Sequence, residues 1–241
     1  MHLEERLFRA DPVGVTVVVV CFNAREHIHA CLTSLLQQEY DGDWELVVVD
    51  NGSTDGTRSL LTEFACKHTR LKIIDNPVRG ISVSRNLGWR SARFDFVAYT
   101  DSDCVVPPRW LMTLVAGLLR YDAQAVPLAA VGGGNAPPAD HSPFYTAHGL
   151  FLNSYLGSHG SVQGRKYPDD RPVPHLPTVN VLYKRQVLQA VNGFDVGFYN
   201  IGEDRDLSYR LEESGYTLYY LADCAITHFQ QIGRASCRER V

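Results

Sequence analysis

The sequence predicts a single α/β domain, in which a mostly parallel central sheet carries helices on both faces. Two observations lead to this fold class. Strand and helix patterns alternate through the first half of the 241 residues, and the strand patterns are continuous apolar runs rather than alternating ones. Strands that are buried on both faces and joined by helices of about ten to fifteen residues are typical of parallel sheets. A hydrophobic content of 45% supplies enough apolar material for a large core.

The elements of the first half follow from the spacing of apolar residues. Short runs of β-branched and aromatic residues predict strands over residues 15–21, 45–49, 71–75 and 94–100. Apolar residues at helical spacing predict helices over residues 26–37, 57–65 and 81–92. Pro107 suits the first turn of a helix and predicts a fourth one that runs to Leu119.

The second half of the chain is less regular. From Val131 to Pro177 it is rich in glycine, proline and aromatic residues, which predicts loops and short helices over a cleft. Regular patterns then predict a helix over residues 203–214 and strands over residues 179–183, 217–221 and 225–228. We therefore divide the chain into a leader (1–12), one domain (13–231) with halves that meet between residues 130 and 131, and a tail (232–241).

The leader and the tail are left out of the predicted fold. The leader is charged and lacks the apolar core of a signal peptide. The tail, from Ile232 to Val241, resembles a translated sequencing adapter. We expect it to be non-native, with the natural protein continuing beyond Gln231.

Charge and cysteine content narrow the class of protein. The formal net charge of −4 argues against a nucleic-acid partner, because such proteins usually carry a basic surface. The six cysteines lack a Cys-x-x-Cys pair, which favours free thiols and a cytoplasmic location over a disulfide framework or a zinc site. No apolar run approaches the roughly 20 residues that cross a bilayer.

Polar residues follow the first two predicted strands. The first ends at Cys21-Phe22-Asn23 without the Gly-x-Gly-x-x-Gly loop of dinucleotide-binding proteins, which disfavours nicotinamide-dependent hydride transfer. Ligands of open α/β sheets still bind beyond the carboxyl ends of the strands. The second strand ends at Asp50, whose carboxylate suits hydrogen bonds from a nucleobase or ribose. Asp55, five residues on, suits a helix cap.

The fourth predicted strand is followed by Asp101-Ser102-Asp103. Side chains two residues apart on an extended segment share a side, so we expect both carboxylates to face one site and Ser102 to turn away. Carboxylates suit Mg²⁺ or Mn²⁺, which often bind substrate phosphates as well. Such an ion neutralises a diphosphate leaving group. The alternative is a polar turn ahead of Pro107.

Two helices and one strand add further candidates. Arg85 and Asn86 are polar residues in the third predicted helix, where Arg85 suits a phosphate or a base, or else belongs to a solvated face. Asp204, next to Glu203, shares a helical stripe with apolar residues and is expected to point inward, as suits a general base. The alternative for Asp204 is an interaction with the helix dipole. His228 is either a structural histidine or a third metal ligand.

Together these motifs resemble the family 2 glycosyltransferases, which have the nucleotide-sugar-binding GT-A fold. The resemblance covers Thr16 to Gln231 and follows the family's order of motifs. These are the apolar first strand, the Asp-Asn-Gly-Ser-Thr-Asp-Gly turn, the Ser-Arg-Asn-x-Gly helix, Asp-x-Asp, Asn192-Gly193-Phe194-Asp195 and Gly-Glu-Asp-x-Asp-Leu. It implies a nucleotide-sugar-binding half over residues 13–130 and an acceptor and catalytic half over residues 131–231.

The resemblance implies a role for each candidate residue. Asp204 would be the catalytic base, with Glu203 beside it. Mn²⁺ or Mg²⁺ would be held by Asp101, Asp103 and His228, with Asp103 the direct ligand. Asp50 would contact the nucleobase, which is commonly uracil. The residues that would bind the nucleotide sugar are Asn23, Asp50, Arg85, Asp101 and Ser102.

The implied reaction moves a sugar from a nucleotide-diphosphate sugar, a UDP-sugar by this resemblance, to an acceptor hydroxyl. The anomeric centre is inverted in one displacement, so a single base suffices, unlike the two-carboxylate scheme of retaining hydrolases. A carbohydrate or lipid-linked acceptor in polysaccharide or glycolipid biosynthesis is implied too. Peripheral association with the cytoplasmic face of a membrane is compatible with such an acceptor.

Two departures and two alternatives accompany this resemblance. Asn51 stands where the family's second acid is expected, which alters the contacts to the base. The Gln-x-x-Arg-Trp block of processive synthases does not follow His228, which favours addition of a single sugar. A sugar-1-phosphate nucleotidyltransferase would need a Gly-rich basic loop after the first strand. A catalytically inactive sugar-nucleotide-binding module is the other alternative.

Overall fold

The computed structural model describes residues 13–123, 127–138, 162, 167–199 and 201–229. The leader, the tail and most of the segment expected to shape the acceptor site lie outside these residues. The described chain forms an 8-stranded sheet and a 3-stranded sheet. None of its helices is both long enough and apolar enough to cross a membrane, as far as the described residues go.

The elements agree closely with those that apolar spacing predicts. The large sheet contains β1 (Val15–Cys21), β2 (Trp44–Asp50), β3 (Leu71–Asp75), β4 (Phe96–Asp101), β6 (Leu128–Gly132), β8 (Arg171–Val173), β9 (Asn180–Lys184) and β10 (Thr217–Tyr220). The small sheet contains β5 (Cys104–Val105), β7 (Asn135–Ala136) and β11 (Ile226–His228). The helices are α1 (Ile28–Leu36), α2 (Thr57–Lys67), α3 (Ile81–Arg90), α4 (Trp110–Asp122), α5 (Arg185–Ala190) and α6 (Glu203–Glu213).

The large sheet has the strand order β3-β2-β1-β4-β9-β6-β10-β8. The first four strands in this order are parallel, and so are β6 and β10. β9 runs antiparallel between β4 and β6, and β8 antiparallel at the edge. The mostly parallel sheet is therefore confirmed. The reversed strand β9 in its middle was not anticipated, and the proposed boundary at residues 130–131 falls within β6.

The sheet separates two apolar cores, which explains the continuous apolar runs of its strands. Val17 and Val19 of β1 belong to the core that also contains residues of α1, α2 and α4. Val18 and Val20 belong to the core on the other face, with residues of α3, α5 and α6. Alternate side chains of one strand thus enter opposite cores. The expected helices on both faces are confirmed.

Gly88 allows α3 to lie directly against the sheet. A Cβ at this position would lie 2.3 Å from Cγ1 of Val18 on β1, so only glycine fits. The glycine of the Ser-Arg-Asn-x-Gly motif therefore has a packing role. The close approach sets the position of Arg85 and Asn86, one turn earlier on the same helix.

Candidate active site

The acids at the strand ends lie along one edge of the sheet. Asp50 is the last residue of β2 and Asp101 the last residue of β4, and both strands flank β1. In the parallel register Asp50 is opposite Cys21 and Asp101 is opposite Val20. The carboxyl edge of these three strands is therefore acidic, and ligands of open α/β sheets bind at this edge.

Hydrogen bonds join the turn that follows β1 to the turn that follows β2. Asn23 has a positive φ of 50°, and its Oδ1 accepts a hydrogen bond of 2.8 Å from the backbone N of Thr54. The buried carboxylate of Asp50 accepts one of 3.0 Å from the backbone N of Ser53. Asp55 accepts one of 2.9 Å from the backbone N of Thr57 at the start of α2. Asp55 therefore binds the first backbone N–H of this helix, as expected of a capping side chain, although Gly56 stands at the cap position itself.

Asp101 and Asp103 do not share an extended segment. Residues 102 and 103 form a turn between β4 and β5, with Ser102 half-buried in it, so the two carboxylates have different neighbours. Oδ1 of Asp101 lies 3.4 Å from Nη2 of Arg85, whereas Oδ1 of Asp103 lies 3.3 Å from Nε2 of His228. The strand ends at Asp101, so strand alternation does not set the positions of the two carboxylates, and the expectation that both face one site stays a prediction.

The small sheet brings His228 to Asp103. β11 pairs antiparallel with β5, and His228 is opposite Cys104 in this pairing. The backbone N of Phe229 donates a hydrogen bond of 2.8 Å to the carbonyl of Asp103. On its other side, Nδ1 of His228 lies 2.9 Å from Nδ2 of Asn135 on β7. Both ring nitrogens thus have neighbours that fix the orientation of the imidazole.

Asp103 and His228 shift each other's pKa. Burial acts to raise the pKa of Asp103, but the hydrogen bond and the charge of His228 outweigh it, so the pKa lies below its ordinary value. Burial acts to lower the pKa of His228, but Asp103 and Asp101 outweigh it and the pKa is raised. Burial raises the pKa of Asp101, Arg85 opposes this, and the charge of Asp103 adds to the rise.

The Asp103 and His228 side chains fit a divalent cation. Their 3.3 Å separation is that of two ligand atoms which share an ion at about 2.0–2.2 Å. The Sγ atom of Cys104 lies 3.9 Å from Oδ1 of Asp103. Ligand atoms of all three residues lie within 4.8 Å of one another. Asp101 offers a further carboxylate nearby, since its charge acts on His228 as well.

Arg85 is buried and connects the two halves of the site. The residue is 5% exposed, so it does not belong to a solvated helix face. Its guanidinium pairs with Glu203 on α6 and with Asp101 on β4. It also lies 5.7 Å from the ring centroid of Phe194. These donors are directed at protein carboxylates, and the predicted contact of Arg85 with a nucleotide stays a prediction.

Glu203 is buried more deeply than Asp204, although the helical stripe predicts the inward position for Asp204. Glu203 is the deeper acid at 5% exposure, and among the described residues its Oε2 has no hydrogen-bond partner. Asp204 is half-buried, with 24% of its side chain exposed, and its Oδ2 lies 3.8 Å from Nε2 of His175. Arg85 attracts Glu203 inward, which leaves Asp204 nearer to the solvent. Asp204 therefore lies towards the buried His175 but less deeply than Glu203, and its role as the base stays a prediction.

The Asn-Gly-Phe-Asp motif is held between α3 and α6. Asn86 donates from Nδ2 to the carbonyl of Phe194 at 2.7 Å and accepts at Oδ1 from the backbone N of Phe194 at 2.9 Å. Arg210 pairs with Asp206, as their spacing predicts, and donates to the carbonyl of Gly193 at 2.7 Å. This motif therefore positions the start of α6, where Glu203 and Asp204 lie.

Comparison with known proteins identifies the family. Residues 16–191 match the family model described as "Glycosyl transferase family 2". This chain belongs to glycosyl transferase family 2. The matched range contains Asp50, Arg85, Asp101 and Asp103 of the site. The acids of α6 and His228 lie beyond it, so their assignment to the site depends on the structure.

Two named relatives are similar over most of this chain. An uncharacterized glycosyltransferase of Bacillus subtilis, YfnE, is 27% identical over 250 residues, which cover 88% of this chain and 64% of that protein. The succinoglycan biosynthesis protein ExoA of Rhizobium meliloti is 27% identical over 215 residues, which cover 88% of this chain and 62% of that protein. This family 2 chain thus spans less than two thirds of the length of these relatives.

Solved structures show the GT-A fold of this family 2 chain. S. aureus TarS 1–349 in complex with UDP-GlcNAc superimposes with a TM-score of 0.67 at 19% identity, covering 92% of this chain and 60% of that one. The mannosyltransferase PcManGT from Pyrobaculum calidifontis, in complex with GDP-Man and Mn²⁺, gives a TM-score of 0.64 at 22% identity. It covers 98% of this chain and 65% of that one. The predicted fold class is confirmed.

Proposed function

We propose that this chain is an inverting glycosyltransferase that moves a sugar from a nucleotide-diphosphate sugar, a UDP-sugar in the first instance, to an acceptor hydroxyl. One observation carries the proposal. Arg85 joins the acid pair of α6 to Asp101, which shares a turn with the Asp103–His228 pair. Family membership supports it, as do the nucleotide sugars named in the structures of TarS and PcManGT.

The donor would lie along the carboxyl edge of β1, β2 and β4. Asp50 and Asn23 follow β2 and β1 and would bind the base and ribose, while Asp101 and Ser102 follow β4 and would lie at the diphosphate. Asp101, Asp103 and His228 would hold Mn²⁺ or Mg²⁺. Such an ion, when bound, neutralises the charge that develops on the departing diphosphate.

Asp204 would remove the proton of the acceptor hydroxyl. The freed oxygen lone pair attacks the anomeric carbon, while the bond from that carbon to the diphosphate oxygen breaks and its electron pair leaves with the nucleotide. The proton remains on Asp204 at the end of this displacement. Glu203 and Arg85 would hold the first turn of α6 in place. A single displacement of this kind inverts the anomeric centre.

The acceptor and the cellular location are proposed from one relative and from the cysteines. A carbohydrate or lipid-linked acceptor in polysaccharide or glycolipid biosynthesis is supported by the succinoglycan biosynthesis protein among the relatives. The five cysteines among the described residues are free, which is the rule for proteins of the reducing cytoplasm. We therefore extend the proposal to a cytoplasmic enzyme that associates peripherally with the membrane. Membership of family 2 counts against a sugar-1-phosphate nucleotidyltransferase.

A nucleotide-release assay tests this function without a known acceptor, because water replaces the acceptor slowly. Several nucleotide-diphosphate sugars are incubated with and without Mn²⁺, and the released nucleotide is measured. Wild type is compared with Asp103→Ala, with Asp204→Asn and with the matched control Glu63→Ala, an acid on the exposed face of α2.

We expect one donor to be cleaved only when metal is present. Asp204→Asn should lower kcat by about 10²-fold or more, the contribution typical of a general base, while calorimetry still detects donor binding. Asp103→Ala should abolish metal-dependent binding, and Glu63→Ala should behave as wild type. If calorimetry finds that no nucleotide sugar binds in the presence of Mn²⁺, the proposal is overturned, and an inactive module without this ligand takes its place.

A further inference from the structure

His175 lies beside the proposed base but has no role in the motifs considered so far. It follows β8 and precedes β9, and the residue is 9% exposed. Its Nε2 lies 3.8 Å from Oδ2 of Asp204, and its Nδ1 lies 3.1 Å from Oγ of Ser208. Since Asp204 and Ser208 are one turn apart on α6, the imidazole ring lies along the first two turns of that helix.

The hydrogen bonds of Ser208 favour one tautomer of His175. The hydroxyl of Ser208 has one hydrogen, and its contact of 2.8 Å with the carbonyl of Asp204 assigns that hydrogen to the carbonyl. With this assignment the hydroxyl oxygen accepts from His175 and Nδ1 donates. Neutral His175 then carries its hydrogen on Nδ1, which leaves the lone pair of Nε2 directed at the Asp204 carboxylate.

The surroundings keep His175 neutral until a proton arrives. Burial is the main cause that lowers its pKa below the ordinary value, and the charge of Arg205 adds to this, while the charge of Asp204 opposes it. These two residues are the charged groups that act on the ring within the described part of the chain. On β9, Tyr183 is a neutral phenol within reach of the Asp204 charge, because burial and Asp204 raise its pKa.

Resting on the role of Asp204 proposed above, we propose that His175 is a positioning residue that acts through this base by accepting the proton it removes. In the reaction the acceptor O–H bond breaks and its proton binds Asp204. The proton then passes from Oδ2 to the lone pair of Nε2, which leaves an imidazolium beside a carboxylate. After the product departs, the imidazolium releases this proton to water.

Two physical arguments support this direction of transfer. Imidazole is ordinarily more basic than a carboxylate, with pKa values of about 6.5 and 3.9, and although burial lowers the pKa of His175, the charge of Asp204 opposes this fall, so Nε2 can accept the proton. The 3.8 Å separation is longer than a hydrogen bond, but catalytic contacts are often long before substrate binds and shorten afterwards. A proton on Nε2 adds a charge-assisted hydrogen bond that draws the two groups together.

Two substitutions separate this role from a purely structural one. His175→Asn places an amide near the position of Nδ1, so the contact with Ser208 is retained while nothing replaces Nε2. His175→Gln places an amide near the position of Nε2, where it can hydrogen bond to Asp204 but cannot accept its proton. Each full-length variant is assayed for kcat and KM against pH with the donor that wild type cleaves. Binding of UDP with Mn²⁺ and the Tm are measured in parallel.

We expect both variants to bind UDP and Mn²⁺ within about twofold of wild type and to lose about tenfold in kcat, part of the 10²–10⁴-fold typical of general-base catalysis. The wild-type rate should fall at low pH as His175 becomes protonated. In the variants that lack the imidazole, the fall in rate should occur at lower pH, towards the range in which carboxylates are protonated. If either substituted chain does not fold, Ser208→Ala, which removes the partner of Nδ1, should shift the profile in the same direction.

The outcomes distinguish this inference from the proposed function. If His175→Asn lowers only the Tm, while kcat and its pH profile match wild type, His175 is merely structural and the inference is overturned. If Asp204→Asn abolishes turnover in the same series, the proposed function survives that failure. If Asp204→Asn turns over normally, the assignment of the base is wrong, and the role of His175 falls with it.

Discussion

Arg85 is the residue on which the two halves of the site depend. It is buried between Glu203 and Asp101, and the hydrogen bond with Glu203 joins residues that are 118 positions apart in the chain. A buried carboxylate whose cation is removed becomes an uncompensated charge, which costs far more than the pair contributes. Arg85 therefore stabilises the arrangement of α3, β4 and α6 at their common edge.

We expect Arg85→Met to destabilise the protein by about 3–5 kcal/mol, because it leaves Glu203 buried without its partner. The double variant Arg85→Met/Glu203→Leu should recover more than half of this loss, since both members of the pair become apolar. Urea unfolding followed by circular dichroism measures both values. A loss below about 1 kcal/mol for Arg85→Met would show that this pair is effectively solvated.

The Asp103–His228 pair makes stability depend on pH when no metal is bound. The raised pKa of His228 gives a contribution that is complete below about pH 6.5 and is lost as the pH rises through the raised value. The lowered pKa of Asp103 gives one that is complete above about pH 3.9 and is lost as the pH falls through the lowered value. The pair is therefore most stabilising between these two limits.

We expect His228→Asn to lose more stability at about pH 5.5 than at about pH 9, measured in EDTA by urea unfolding. In wild type a proton leaves His228 when a metal binds, so the affinity for Mn²⁺ should rise with pH over the same range. Equal losses at both pH values would contradict a charged pair.

At the scale of elements, the segment before α6 packs closely against α3. At Gly193 this close approach leaves no space for a side chain. Gly193 has a φ of +66°, and a Cβ there would lie 2.4 Å from Oδ1 of Asn86 and 2.6 Å from Nε1 of Trp89. Gly215, after α6, has a φ of +82° with nothing within 4 Å of such a Cβ. Both glycines have a positive φ, which strains any other residue, but only Gly215 leaves space for an added methyl group.

We expect Gly215→Ala to cost about 1–2 kcal/mol, from the left-handed backbone alone. Gly193→Ala should cost about 1–3 kcal/mol more, because the added methyl forces Asn86 and Trp89 apart. It should also lower kcat, since the start of α6 moves with the segment. Denaturant unfolding and nucleotide release measure the two effects. Similar losses for the two variants would show that α3 yields easily at this contact.

At the scale of the molecule, β9 joins strands from both halves of the chain into one sheet. It pairs with β4 on one side and β6 on the other, although it comes after both of them in the sequence. A chain that lacks β9 leaves these two strands with unpaired backbone groups along buried edges. The first half of the chain is therefore incomplete by itself.

We expect the fragment 1–138, which retains β1 to β7, to unfold without a cooperative transition and to show poor amide dispersion by NMR. The fragment 1–231, which lacks only the tail that resembles an adapter, should match the full chain in Tm and in nucleotide release. A dispersed spectrum for 1–138 would show that the first half folds alone. A lower Tm for 1–231 would show that residues 232–241 contribute to the fold.

The amino-acid sequence alone determined the local features of this protein. Continuous apolar runs identified the buried strands, because both faces of the sheet are covered, and helical spacing identified the helices between them. Asp50 and Asp101 were located by the ends of those runs. Their common edge followed from the parallel direction of β1, β2 and β4.

Only the tertiary structure decided which distant side chains meet. Asp101 and Asp103 have different partners across the turn after β4. The pairing of β5 with β11 brings His228 to Asp103, and Arg85 pairs with the buried Glu203. The contact of His175 with Asp204 arises in the same way. Apolar periodicity reports which face of an element is buried. It carries no information about which element covers that face, and this depends on the packing free energy of the whole sheet.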